Sequence, residues 1–386
     1  MEIADITAIP IEIPLIPLEE PLGLAPYVTG TSGVTNAANR TLVRLETRDG
    51  VVGWGEVSTM VRPQVMKTMI EEEVAPTVIG EPVWAIKAFL EHFQPTLYLE
   101  LDAFASGIEM AMWDALGQVY GAPVHQLLGG KTTNEVEFAY ALGILSPDAA
   151  AARMREVQDA GFSVVKTKVG GYDVDTDPPE LGIDRSIAGD VERLIAMTEA
   201  VDGEVELRAD ANQSWTPEDT VRAGQQLEAA GVSLEYFEQP VRVDSIGTYT
   251  RLRQRLTTPI AVNEDMYFSR NFLELIAHDA IDAGVIDMVP AGGILPMRRL
   301  AGIAEEAGIS LAHHCGFDLG IKTAAMTHAI AATPAINLAS DTVYYALEDD
   351  VITEPFEFEH GTLPVSDDPG FGIEVDESKV DEYAVL

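Results

Sequence analysis

The stretch VVKTKVG, residues 164–170, places two lysines at the end of an apolar run. In a β-strand, residues two apart point to the same side, so the amines of Lys166 and Lys168 would lie side by side. Amines can accept and donate protons, but two like charges at a buried strand end need negative charge close by. The spacing therefore predicts that carboxylates lie close to these two lysines, and it leaves open what two adjacent amines do.

Polar and acidic residues follow several other apolar runs. They are Asp210 and Asn212 in VELRADANQ, Glu238 and Gln239 in SLEYFEQP, Asn263, Glu264 and Asp265 in PIAVNED, Asp287 in AGVIDMVP, and His313 and His314 in GISLAHH. Asp210, Glu238 and Glu264 offer only oxygen ligands, which favours Mg²⁺, with Mn²⁺ as a substitute. Their carboxylates would also supply the negative charge that offsets the repulsion between the two lysines. The alternative is that each acid caps a helix or forms a salt bridge in its own loop.

These residues must be positioned by a regular alternation of short apolar strands and longer amphipathic helices. The predicted strands are EVEFAYALG, FSVVKTKVG, VELRADANQ, SLEYFEQP, PIAVNED, AGVIDMVP, GISLAHH and AINLAS. Eight such βα units predict a closed (β/α)8-type barrel, in which chemistry is located at the C-terminal ends of the strands. An open doubly wound sheet is the competing architecture.

Residues before and after the predicted barrel show other sequence patterns. Residues 1–125 combine alternating strand patterns with helical blocks, which predicts an α+β domain capping the barrel. We assign residues 126–355 to the barrel, which would be the catalytic domain. Residues 356–386 are acidic and rich in Pro and Gly, and we expect them to return to the capping domain.

Composition restricts the possible partners. The 386 residues include 63 acidic and 24 basic side chains, a net charge of -39, which argues against binding to nucleic acid or anionic membranes. Acidic residues spread along the whole chain suggest adaptation to high salt, although a merely acidic protein is the alternative. The single Cys315 excludes an internal disulfide and a cysteine zinc site. Because we find neither a membrane-spanning run nor a signal peptide, we expect a cytoplasmic protein.

The combination of Lys-x-Lys, ADAN, FEQP and an acid after strand five, together with MWDALGQ and PVHQLLGG, resembles the enolase superfamily. More narrowly, it resembles the mandelate racemase and muconate lactonizing enzyme branch. The resemblance implies a modified (β/α)7β barrel, Mg²⁺-dependent removal of the proton next to a substrate carboxylate through an enediolate, and a homo-oligomer between dimer and octamer. It implies that Lys168 is the base, Lys166 its partner, Asp210, Glu238 and Glu264 the metal ligands, and Asn212 a neighbour of the substrate carboxylate. We expect Lys166 to lower the pKa of Lys168.

The residues that face the substrate from the side opposite Lys168 should distinguish the reactions within this branch. The muconate-lactonizing type is expected to carry a lysine after strand six, but the next lysine after Lys168 is Lys322, within the helical run LGIKTAAMTHAIAA. Asp287 and His314 instead resemble the catalytic dyad of the mandelate racemase type, and spacing from Gly308 favours His314 over His313. We rank sugar-acid dehydration first, racemisation or epimerisation second and cycloisomerisation third. A catalytically silent barrel that binds a small molecule is the non-enzyme alternative.

Substrate choice is expected to depend on loops of the first domain. Residues 18–34 and 56–64 are the candidate lids, with Tyr27 and Arg62 as candidate substrate contacts. Asp318 stands where several branches carry an acid, and we expect it to contact substrate. Strand eight ends at Asp341, where some members have Glu. The scarcity of basic residues in the loops hints at a monocarboxylate substrate.

Overall fold

The structure is a computed structural model that describes residues 1–29, 33–58, 61–92, 102–170, 186–243, 246–267 and 269–385. The first part of the chain forms an antiparallel sheet in the order β1-β4-β5 and a two-stranded sheet, β2-β3. The strands are β1 (Ile3–Pro14), β2 (Tyr27–Thr29), β3 (Gly33–Thr35), β4 (Ala37–Thr47) and β5 (Val52–Val57). β4 and β5 form a hairpin, and Gly50 in the turn between them has a φ of 81°.

Helices follow this sheet in the chain. They are α1 (Pro63–Thr68), a π-helical segment (Met69–Val74), a 3₁₀ turn (Ala75–Thr77), α2 (Ile86–His92), α3 (Asp102–Tyr120) and α4 (Val124–Leu127). α3 packs directly on β5, where a Cβ added to Gly53 would lie 2.2 Å from the carbonyl oxygen of Ala111. Glycine is therefore required on this strand because backbone meets backbone there.

Eight parallel strands in the described part of the chain form the barrel. They are β6 (Glu135–Leu142), β7 (Val164–Lys168), β8 (Glu206–Asp210), β9 (Tyr236–Glu238), β10 (Ile260–Val262), β11 (Ala283–Ile286), β12 (Ser310–His313) and β13 (Ser340–Thr342). Successive strands pair from β6 to β12, and β13 pairs with the other edge of β6. Between β12 and β13, the Leu311 backbone bonds to Ala335 and Asn337. This order confirms the barrel, and the open doubly wound sheet is wrong.

Helices occupy each of the seven connections between these strands. They are α5 (Pro147–Asp159), α6 (Ile187–Ala200), α7 (Pro217–Ala229), α8 (Ile246–Arg253), α9 (Glu264–Tyr267), α10 (Ser269–Ala277), α11 (Met288–Ala291), α12 (Ile294–Ala307) and α13 (Gly320–Ala331). After β13 the chain forms a 3₁₀ turn (Tyr344–Ala346). The architecture is therefore a (β/α)7β barrel with an α+β region before it. None of the described helices is long and apolar enough to cross a membrane.

The last segment contacts both the barrel and the first sheet. β14 (Thr362–Pro364) pairs antiparallel with the start of β6, and α14 (Glu377–Tyr383) follows it. The Val385 amide then donates to the Pro10 carbonyl of β1. The first region is also tied to the barrel by Glu109 of α3, whose carboxylate accepts the Ile294 and Leu295 amides at the start of α12. The domain boundaries given above stay a prediction.

Candidate active site

A cavity of about 820 Å³ lies at the C-terminal ends of the barrel strands and is covered by residues of the first region. Among the predicted site residues, the barrel contributes Lys166, Lys168, Asn212, Glu264, Asp287 and His314 to its wall, and the first region contributes Tyr27 and Arg62. Asp210 and Glu238 end their strands fully buried. The structure therefore brings together residues that are far apart in the chain, at the end of the barrel where the fold places chemistry.

Lys166 is buried among carboxylates. Its ammonium group lies 2.7 Å from Glu238 Oε1, 2.8 Å from Asp341 Oδ2 and 3.3 Å from Asp210 Oδ2. Burial by itself lowers the pKa of Lys166, but Asp341, Glu238 and Asp210 together raise it well above the ordinary lysine value. The surrounding carboxylates therefore favour the charged form of Lys166. Asp341 on β13 supplies part of the negative charge that the two lysines need.

Lys168 lies nearer to the open cavity. Its ammonium group is 2.5 Å from Asp210 Oδ2, and its side chain is 11% exposed against 3% for Lys166. Because strands alternate, both lysines point to the same side of β7, as predicted. Both lysines line the cavity, and Lys168 is the more accessible of the two to a substrate.

The predicted metal ligands have the donor chemistry of a hard-cation site. Burial and Asp210 raise the pKa of Glu238 to about 8, and the same causes raise the pKa of Glu264. Glu238 Oε2 and Glu264 Oε2 are buried without a hydrogen-bond partner. Buried carboxylate oxygens of this kind need a cation or a donor. The donor set therefore fits Mg²⁺ or Mn²⁺.

The cluster carries an excess of negative charge. Its four carboxylates, on Asp210, Glu238, Glu264 and Asp341, surround Lys166 and Lys168, and the buried Arg208 lies 3.6 Å from Asp341 Oδ1, which leaves one negative charge in excess when all are ionised. In the described part of the chain, no three acidic, histidine or cysteine side chains lie in ready-made metal-ligand geometry. The lysines hold Asp210 and Glu238 instead, so joint coordination requires these side chains to shift.

His314 and Asp287 form the predicted pair. His314 Nδ1 lies 3.2 Å from Asp287 Oδ2, and the imidazole is 24% exposed. Asp287 is buried at the end of β11, and its other oxygen accepts the Val289 amide at 2.8 Å, which caps α11. Although burial favours the neutral acid, Lys322 and His314 hold the pKa of Asp287 below its ordinary value. The carboxylate is therefore ionised and orients the imidazole.

The neighbouring His313 has a structural position. It is fully buried, its Nδ1 lies 2.7 Å from the His314 carbonyl, and its Nε2 accepts the Met288 amide at 3.2 Å. These contacts match a neutral ring that donates from Nδ1, and burial lowers the pKa of His313 to about 4. Of the two histidines, His314 is the one on the cavity.

Asp318 and Lys322 occupy positions that the sequence did not predict. Asp318 is buried outside the described cavity wall and bonds to Lys322, so its predicted contact with substrate is not what the structure shows. Lys322 is fully buried on α13 and reaches Asp287 at 2.9 Å and Ser58 at 3.0 Å. The only sequence signals were a lysine inside an apolar helix and an acid four residues before it.

Arg40 is a second residue that sequence reasoning missed. It lies on β4 and lines the cavity, and its Nε donates to the Phe317 carbonyl at 2.7 Å. Arg40 and Arg62 both line the cavity, so basic residues are less scarce there than the monocarboxylate prediction assumed. Tyr27 packs edge-on against the Phe317 ring at 5.0 Å. Residues 30–32 and 59–60 of the predicted lids lie outside the described residues.

The sequence matches two family descriptions. "Mandelate racemase / muconate lactonizing enzyme, N-terminal domain" matches residues 13–129, and "Enolase C-terminal domain-like" matches residues 149–379. The L-Ala-D/L-Glu epimerase of Bacillus subtilis is 28% identical over 353 residues, covering 90% of this chain and 92% of the epimerase. The arabinonate dehydratase of Saccharolobus solfataricus is 28% identical over 348 residues, covering 88% of this chain and 89% of the dehydratase.

Solved structures agree with these matches. The crystal structure of an isomerase from Streptomyces coelicolor superposes with a TM-score of 0.79 at 32% identity, covering 99% of this chain and 98% of the isomerase. Together the two family descriptions span nearly the whole chain, and the curated relatives are enzymes. The chain therefore belongs to the mandelate racemase and muconate lactonizing enzyme branch of the enolase superfamily, and it is an enzyme of the lyase or isomerase class.

Proposed function

We propose that this enzyme dehydrates a sugar acid by removing the proton next to its carboxylate and expelling the neighbouring hydroxyl as water. The observation that carries the proposal is the placement of Lys168 and His314 on one cavity. Lys168 ends β7 and His314 follows β12, which are separated by four strands one way round the barrel and two the other way. A substrate between them meets one proton-transfer group on each side.

Each residue has a distinct role in this proposal. Lys168 takes the proton from the carbon next to the carboxylate, because it is the more exposed of the two lysines and contacts one carboxylate, whereas Lys166 is buried among three. Asp210, Glu238 and Glu264 would hold a divalent cation, which supplies charge stabilisation for the carboxylate of the substrate as the enediolate forms.

His314 acts on the other side of the substrate. Oriented by Asp287, it donates a proton to the leaving hydroxyl, which departs as water. The enol that remains rearranges to a keto acid.

The polarity of the cavity supports a hydroxylated substrate. Hydroxyl and amide side chains line it, on Thr29, Asn39, Ser58, Asn212, Asn263 and Tyr267. Such groups can donate to and accept from the hydroxyls of a sugar acid. The arabinonate dehydratase of S. solfataricus, whose name specifies a sugar acid, is among the relatives.

Racemisation or epimerisation is the second candidate. Two proton-transfer groups on opposite sides of one carbon can remove a proton from one face and return it to the other. The B. subtilis relative is an epimerase, which supports this alternative. Cycloisomerisation, the activity of other relatives, ranks third because the chain has no lysine directly after β11.

The test is turnover of a library of mono- and dicarboxylate sugar acids with Mg²⁺ in D₂O at high salt. We expect the wild type to produce a keto acid, Lys168→Ala to lose both exchange of the α-proton and turnover, and His314→Asn to retain exchange without dehydration. The exposed Lys87→Ala and His278→Asn are matched controls and should behave as the wild type. Exchange in the wild type without net product would instead favour racemisation. Exchange that survives in Lys168→Ala would contradict the assignment of the base.

A further inference from the structure

Lys322 makes contacts that the proposed chemistry does not use. Its ammonium group lies 2.9 Å from Asp287 Oδ2, 3.0 Å from Asp318 Oδ1 and 3.0 Å from Ser58 Oγ. An ammonium group has three donors and no acceptor, so these three contacts account for all of its hydrogens. Its position is therefore set by three different parts of the fold: the residue that follows β11, the loop after β12, and the residue that follows β5.

We propose that Lys322 is a positioning residue that fixes the Asp287–His314 pair and orients Ser58 toward the substrate. The inference rests on the proposed function for its effect on turnover. Lys322 is fully buried and outside the described cavity wall, so it does not meet the substrate itself. It acts through Asp287, because one carboxylate oxygen, Oδ2, binds both the Lys322 ammonium group and the His314 imidazole.

The shared oxygen explains how this lysine can control the imidazole. Asp287 Oδ1 is already taken by the Val289 amide, so Oδ2 is the atom that aims His314. Without the ammonium group, Oδ2 would lose its strongest charged partner, and the carboxylate could turn away from the imidazole. Asp318 would also lose its cation, since it bonds to Lys322 at 3.0 Å.

Ser58 extends the same arrangement to the other wall of the cavity. Its Oγ accepts from Lys322, and Ser58 also lines the cavity. Since a hydroxyl has one donor, the Ser58 hydrogen is not used toward the ammonium group and is available to a substrate acceptor in the cavity.

The first sheet also binds the backbone at the start of α13, the helix that carries Lys322. Glu56 of β5 accepts the Leu319 and Lys322 amides, at 2.8 Å and 2.9 Å. The first sheet is therefore connected to the His314 imidazole: Glu56 holds the start of α13, and the Lys322 side chain on that helix binds Asp287.

The test compares Lys322→Met, which keeps side-chain length without the charge, with Lys322→Arg, which keeps the charge. We expect Lys322→Met to lower turnover by about 10²-fold, with KM changed less and α-proton exchange by Lys168 preserved. Lys322→Arg should recover part of the turnover. In Lys322→Met the Asp318 carboxylate loses its cation. The double variant Lys322→Met/Asp318→Asn removes that charge as well, and it replaces the single variant if the single variant does not fold. Lys379→Met, which breaks a peripheral ion pair with Asp349, is the control.

A measurement without substrate keeps the inference separate from the proposed function. In ¹⁵N-histidine NMR spectra, with the His314 signal assigned from His314→Asn, we expect Lys322→Met to shift the His314 ring nitrogens and leave His278 unchanged. If the wild type turns over no sugar acid but this shift occurs, the proposed function fails and the role of Lys322 stands. If the His314 signal is unchanged, or exchange and turnover fall in parallel, Lys322 has a structural role only and the inference is overturned.

Discussion

His328 of α13 is buried, and we predict that it makes the protein less stable as the pH falls from 8 to 5. Its Nδ1 accepts the His125 amide at 3.1 Å, and its Nε2 lies 3.2 Å from the Phe371 carbonyl. A neutral ring with the hydrogen on Nε2 satisfies both contacts, whereas a second proton on Nδ1 would oppose the His125 amide. Burial is the main cause that lowers the pKa of His328 from 6.5 to about 4.

The sign and size of the effect follow from this shift. The unfolded chain binds a proton near pH 6.5 and the folded protein only near pH 4, so the stability is present above pH 6.5 and is lost as the pH falls toward 4. Each pKa unit corresponds to about 1.4 kcal/mol, which amounts to about 2 kcal/mol lost at pH 5. His313, whose pKa burial also lowers to about 4, adds a loss of about the same size.

The assay is urea unfolding at pH 8 and pH 5 in the same molar KCl concentration, so that surface charge is screened equally. Between these two pH values, His328→Gln should lose about 2 kcal/mol less unfolding free energy than the wild type. His278→Gln, whose side chain is 60% exposed, should behave as the wild type. Identical losses in the wild type and His328→Gln would refute the reasoning.

Three further predictions concern the metal, the surface charge and a backbone position. Mg²⁺ at about a hundred times its dissociation constant should add about 2.7 kcal/mol to the unfolding free energy, and Asp210→Asn should abolish this gain, as seen by calorimetry with and without the ion. Raising KCl from 0.1 M to 2 M should raise the Tm, because the net charge is -39; an unchanged Tm would contradict adaptation to salt. Gly293→Ala should cost more than about 1 kcal/mol in urea unfolding, since φ is 133° and the new Cβ would lie 2.6 Å from Glu109 Cδ, whereas Gly302→Ala, with open space around it, should not destabilise.

The local pattern of the sequence determined the barrel and most of its polar strand ends. Alternation in a strand depends only on neighbouring residues, so Lys166 and Lys168 could be placed on one side of β7 without knowing the fold. Parallel strands of a barrel end on the same face, so Asp210, Glu238 and Glu264 could be assigned to one site. Alternation along the strand also allowed His314 to be ranked above His313 as the residue facing the site.

The tertiary structure alone decided which charges pair. Lys322 looked like a helix residue, but the packing of α13 brings it to Asp287, 35 residues earlier, and to Ser58, 264 residues earlier. Arg40 reaches the Phe317 carbonyl across 277 residues, and Asp341 reaches Lys166 across 175. No periodicity encodes these contacts, because an ion pair forms wherever packing places two long side chains together. Local spacing therefore identified which residues end the strands, and only the closure of the barrel and the packing of α13 and the first sheet against it determined what each of them binds.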